Sequence, residues 1–122
     1  MDNKCSGLKH ALKAVSATRD GLVECFRREA AFRQNCFFGV INLVLALTVP
    51  RTWTETGVLI AVYFVIPMVE LLNSAVEETV DMVTQRWDIR AKRAKDYGSA
   101  AVFLAIVIVC SAWAVVLCRR FV

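Results

Sequence analysis

From Gly98 to Cys118 the chain runs for 21 residues without a charge. That is the length a helix needs to cross the hydrocarbon core of a bilayer, roughly 20 residues. The remaining charges are segregated in the same sense, for only Arg51 and Glu55 are charged between Gln34 and Val69. Composition agrees: 122 residues that are 57% hydrophobic, with a mean hydropathy of +0.51, are too apolar for a soluble domain of this size. We read residues 1–122 as one all-α membrane domain, with an amphipathic surface helix over about 8–28 and transmembrane helices over about 34–50, 57–83 and 98–118.

The surface helix follows from periodicity. Leu8, Ala11, Leu12, Val15, Leu22 and Phe26 share one side of a helical wheel, while Lys9, His10, Lys13, Asp20, Glu24 and Arg27 lie elsewhere. Arg19 falls inside the apolar stripe and has to snorkel, and Gly21 is a point where the helix can bend. The segment has no continuous apolar core, so it is not a secretory signal. Arg51 to Thr56, with Trp53 between Pro50 and Gly57, reads as a turn at an interface. Pro67 should kink the second span one turn before Glu70 and free a backbone carbonyl. Gln85 to Tyr97 reads as a charged connector. Trp53, Trp87 and Trp113 read as interface anchors or packing residues.

Seven of the fifteen Lys and Arg residues precede Cys36, and five more lie between Arg86 and Lys95. The positive-inside rule therefore places the N-terminus and the second connector in the cytoplasm. The net charge of +4 is explained by basic residues at an anionic lipid surface, without nucleic acid.

The second span also carries the chemistry. Glu70, Asn73, Glu77 and Asp81 share one face of a helix otherwise made of Leu, Val and Ala, with Glu78 off that face. A carboxylate at membrane depth costs roughly 2.5 to 3.5 kcal/mol on insertion scales, so the stripe must face protein, water, a metal or a substrate. A polar seam between helices is the structural alternative, although such seams favour Ser, Thr or Asn over repeated acids. A lone three-span subunit would expose Glu70 and Asn73 to lipid, which predicts an oligomer with sites completed between neighbours.

Other signals exclude chemistry. Cysteines at 5, 25, 36, 110 and 118 have no metal spacing and are expected to be dispensable. His10 is the one histidine and no nucleophile elbow accompanies it. The glycines stand singly, which excludes a Walker loop. What remains is Glu29 at the interface, the Glu70/Asn73/Glu77 stripe, and Lys95-Asp96 before the last span. Hard carboxylate oxygens for a metal, a cation for phosphates and a further carboxylate as proton acceptor are the requirements of magnesium-nucleotide chemistry.

Three blocks resemble the signatures of the bacterial integral-membrane diacylglycerol kinase family: Arg28-Glu29-Ala30-Ala31-Phe32-Arg33-Gln34, Glu70-Leu71-Leu72-Asn73-Ser74-Ala75-Val76-Glu77, and Arg93-Ala94-Lys95-Asp96-Tyr97-Gly98-Ser99-Ala100-Ala101-Val102. Their order and spacing match as well, and the resemblance covers nearly the whole chain. The resemblance implies a homotrimer in the bacterial inner membrane that transfers the ATP γ-phosphate to diacylglycerol, giving phosphatidic acid, with Mg2+. It implies Glu70 as the catalytic base and Glu29 and Glu77 as metal carboxylates. It further implies nucleotide contacts from His10, Glu29, Asn73, Glu77, Lys95 and Asp96, and lipid contacts from Glu70, Ala31, Phe32, Arg33, Gln34 and Ser99. His10 stands where relatives usually carry Arg, Ala17 and Arg19 where they tend to be aromatic, and Pro67 is atypical. A polyprenol (undecaprenol) kinase of similar build is the nearest rival. A small proton-coupled transporter predicts four spans or dual topology and no need for Glu29 or Lys95. A non-enzymatic membrane scaffold predicts that Glu-to-Gln changes are silent.

Overall fold

The computed structural model describes residues 3–121, in five helices and without strands among them. The side chains of Cys5 and Leu8 lie outside the described set. Helix α1 (Asn3–Arg28) runs unbroken through Gly21. Its apolar stripe, Leu12, Val15, Leu22 and Phe26, is exposed in the single chain. Arg19 is exposed beside Asp20, 3.4 Å away. Arg27 and Arg28 occupy the last turn, where cations meet the negative end of the helix dipole.

Helix α2 (Ala30–Thr48) starts immediately after α1, with Glu29 alone between them in an extended conformation, φ −93° and ψ 115°. Arg33 explains the sharpness of that corner. Its Nη1 donates to the carbonyls of Phe26 and Arg27 at 3.2 and 3.0 Å, so the orphan carbonyls ending α1 are satisfied from the next helix. The 19 residues of α2 span about 28 Å, close to the thickness of a hydrocarbon core.

Helix α3 (Trp53–Tyr63) begins within the expected Arg51–Thr56 turn, because Thr52 caps it. Thr52 Oγ1 accepts from the Glu55 N–H at 3.3 Å, and Glu55 Oε2 accepts from the Arg51 N–H at 3.1 Å, a reciprocal arrangement close to a capping box. Helix α4 (Val65–Val83) follows after Phe64 alone. The interruption lies where Pro67 puts it. Proline lacks the N–H that would bond the Tyr63 carbonyl four residues back, and its ring crowds that carbonyl. Together α3 and α4 form one apolar stretch of 31 residues, Trp53–Val83.

Helix α5 (Ile89–Phe121) is where the structure departs most from the sequence reading. The segment taken as a charged connector is helical from Ile89 onward, because Asp88 caps it. Asp88 Oδ1 accepts from the Arg90 N–H at 2.7 Å, and the Asp88 carbonyl accepts from the Lys92 N–H at 3.0 Å. The Arg90 guanidinium, hydrogen-bonded to the same carboxylate, holds its pKa down to about 2.

Three segments, α2, α3–α4 and α5, are long and apolar enough to cross a membrane. They meet in two small cores. Ala46, Leu59 and Val116 form one, joined by Trp113 and Ala112, and Ile66, Ala105 and Val109 form the other. Ala46 and Ala105 are almost wholly buried, as expected of small residues that let helices approach in lipid. A polar link ties all three segments together: Trp113 Nε1 donates to Asn42 Oδ1 at 2.9 Å, and Asn42 Nδ2 donates to the Leu59 carbonyl at 3.4 Å. At the end remote from Glu77, Arg119 pairs with Glu55 at 3.5 Å and Arg51 Nη2 donates to the Arg120 carbonyl at 2.6 Å.

Candidate active site

The site is built on α4. Glu70 is 7% exposed, so a single chain already covers it with protein. This corrects the expectation that a lone subunit would present Glu70 to lipid. The cover comes from packing against the other helices, which a wheel drawn on one helix does not contain. Within Coulombic reach of Glu70 lie the carboxylates of Glu77 and Glu29, so three acids share one neighbourhood.

One turn beyond Glu70, Asn73 Nδ2 donates to Glu77 Oε1 at 3.0 Å. Both residues are half-buried. A further turn on, Asp81 Oδ1 accepts from Lys95 Nζ at 2.7 Å, which brings the start of α5 to the lower end of the stripe. The sequence reading put Asp81 on the stripe of the second span and Lys95 in the block before the last span, and the structure joins them. Asp96 is elsewhere, exposed and paired with Lys92 one turn earlier in α5. Glu78 faces another way and lies 3.8 Å from Arg28, which also holds Glu24.

Glu29 reaches the site from the corner between α1 and α2. Its side chain caps no helix, which leaves the carboxylate free for another partner. It lines a cavity of about 290 Å3 with Cys25 and Arg28 from α1 and Leu71, Ser74 and Glu78 from α4. Burial pushes the Cys25 thiol up, away from the reactive thiolate.

The remaining expected site residues divide. Phe32 is buried and lines an apolar cavity of about 680 Å3 with Leu22, Gly39, Tyr63, Pro67 and Leu71, while Ala31, Gln34 and Ser99 are exposed. Arg33 spends its guanidinium on the end of α1. His10 is exposed on α1, about 28 Å along the helix from Glu29, so one chain does not bring it to the acids. Among the described residues no three acid, histidine or cysteine side chains stand close enough to grip a metal alone.

Sequence reasoning missed Asn42, Tyr63 and Gly98. Tyr63 donates its hydroxyl proton to the Asn35 carbonyl at 2.6 Å across Gly39, and Asn42 joins three helices, but no spacing signals either.

The fold and site define a small helical membrane protein with a polar, acid-lined site near one end of its bundle. Comparison with known proteins is specific. The model of the family described as prokaryotic diacylglycerol kinase matches residues 16–117. The chain is 40% identical to the diacylglycerol kinase of Pseudomonas aeruginosa over 112 residues, covering 92% of this chain and 91% of the relative. It is 39% identical to that of Haemophilus influenzae, covering 90% and 93%, and 33% identical to that of Escherichia coli K12, covering 99% of each. The chain belongs to the prokaryotic diacylglycerol kinase family.

Proposed function

We propose that this protein phosphorylates diacylglycerol within the bilayer, transferring the γ-phosphate of ATP to the free hydroxyl and releasing phosphatidic acid and ADP. Family membership supplies the reaction class, and the observation that carries the residue assignment is Glu70, a carboxylate buried in an apolar helix beside two further acids. In this reading the lipid hydroxyl oxygen forms the new bond to phosphorus as the bond to the β-γ bridging oxygen breaks. Glu70 takes the hydroxyl proton. Glu77 and Glu29 face the nucleotide, and Lys95 would leave Asp81 for its phosphates.

The donor set fits magnesium. Glu29 and Glu77 offer hard oxygens, and because no third protein ligand is gathered among the described residues, nucleotide phosphates and water would complete the shell, which is magnesium's usual habit. Bound there, the ion would offset charge on the transferring phosphoryl group. The apolar cavity lined by Phe32, Tyr63 and Leu71 is of a size and character to take acyl chain. The basic N-terminal segment and second connector support a cytoplasmic position for the site in a bacterial inner membrane, as does the cytoplasmic source of ATP.

The test is an assay in detergent micelles with labelled ATP and a panel of lipid alcohols, with and without magnesium. Label should enter diacylglycerol only with the metal present. Transfer to undecaprenol with none to diacylglycerol would replace this proposal by a polyprenol kinase.

A further inference from the structure

Asn73 presents its amide to two partners at once. Nδ2 donates to Glu77 Oε1 at 3.0 Å, whereas Oδ1 is fully buried and has no hydrogen-bond partner. That oxygen rests against Gly98 of α5. A Cβ added at Gly98 would clash with Asn73 Oδ1 and lie 3.1 Å from its Cγ, so the amide occupies space that any side chain at 98 would need. The reverse amide orientation would set oxygen against the Glu77 carboxylate, acceptor on acceptor, which explains why Nδ2 faces the acid.

An orphaned buried acceptor is unfavourable, eased here only by weak C–H contact with the glycine. A fold keeps such a group where its other end is needed, and the other end here holds Glu77. We infer that Gly98 is a positioning residue for phosphoryl transfer: the space it leaves seats the Asn73 amide, and the amide fixes the Glu77 carboxylate. The inference rests on the kinase reading, in which Glu77 faces the magnesium-nucleotide.

The backbone does not explain the glycine. Among the described residues no glycine has positive φ, and alanine is the better helix former, so Gly98→Ala is harmless except for its methyl group. Helices α4 and α5 make the most extensive helix contact in the fold. The end of the Asn73 side chain is therefore easier to move than either helix. Its displacement removes the Nδ2 bond and lets Glu77 move away from Glu70, whose charge is of the same sign.

Four full-length chains in detergent micelles decide the matter: unmodified, Gly98→Ala, Asn73→Ala and the double variant. KM for magnesium-ATP, turnover at saturation and the thermal midpoint are measured for each. Gly98→Ala should raise KM about ten-fold with turnover changed less than about three-fold, and the double variant should match Asn73→Ala alone. An unchanged KM overturns the inference, as does a loss in turnover alone or a Gly98 effect that repeats in full without the Asn73 amide. If Gly98→Ala does not fold, recovery in the double variant supports the clash with Asn73 and failure to recover overturns it. An Asn73→Ala chain that does not fold also overturns it, since the amide would then be a packing element. An unmodified chain that phosphorylates no lipid removes the kinase reading and this inference together. An active, magnesium-dependent chain indifferent to Gly98→Ala removes the inference alone.

Discussion

Glu70 and Glu77 lie on one face of α4, seven residues and roughly 10 Å of helix apart, too far for one to do the other's work. Proton acceptance from a lipid alcohol and contact with a magnesium-nucleotide should therefore fail separately. Glu70→Gln should lower turnover by about 100-fold or more with nucleotide affinity nearly unchanged, because an amide cannot take the proton. Glu77→Gln should instead weaken magnesium-dependent nucleotide binding, because an amide is a poorer ligand for a hard cation. Measured binding and turnover in the opposite pattern would exchange the two roles, and normal turnover in both would end the mechanism. A second residue-scale expectation concerns Trp113. Its indole N–H satisfies Asn42 in the bundle interior, so Trp113→Phe should cost on the order of 1 kcal/mol in a denaturing-detergent titration, and adding Asn42→Leu should cost less than the two singles combined. The acids were legible in the sequence because a charge inside an apolar run is conspicuous. Asn42 and Trp113 are 71 positions apart, and their bond exists only after the helices pack.

Boundaries of helices obey a different logic from their existence. Hydropathy located the last span from Gly98, yet α5 starts at Ile89, because a charged stretch is still a good helix when Asp88 caps its first turn. In α2 the surplus beyond the apolar stretch comes from Ala30 to Asn35, docked to α1 through Arg33. The division of the second span at Phe64 was readable, since Pro67 announces a missing donor four residues after Tyr63. If proline causes the interruption, Pro67→Ala should restore that bond and join α3 to α4 in one continuous helix. Spin labels near the ends of Trp53–Val83 would then report a changed distance with a narrower distribution. An unchanged distance would assign the break to packing around Tyr63, whose ring lies against Gly39 and whose hydroxyl reaches Asn35.

At the scale of the whole molecule, the burial of Glu70 alters the argument for assembly. Few residues of each spanning segment are buried inside one chain, which leaves most of the helical surface open to lipid or other copies, but the deepest acid needs no neighbour to shield it from lipid. The case for an oligomer moves to charge. Glu29 and Glu77 lie within Coulombic reach of Glu70, Lys95 stands near Glu77 but is hydrogen-bonded to Asp81, and His10 lies far along α1, so a single chain brings more acids than cations to the site. Carboxylates within Coulombic reach of one another repel, and the remaining balance would come from magnesium with its nucleotide or from a neighbouring subunit's basic residues. If neighbouring subunits supply it, as in the homotrimer with shared sites that the family resemblance implies, activity should follow assembly. As the protein is diluted into excess detergent, turnover per chain should fall in step with the oligomer fraction measured by light scattering. Magnesium and nucleotide together should shift that transition to lower protein concentration, because a ligand held by the assembled form stabilises it by mass action. A monomer of measured mass with full turnover would show that one chain completes the site by itself, and that metal and nucleotide alone supply the missing charge.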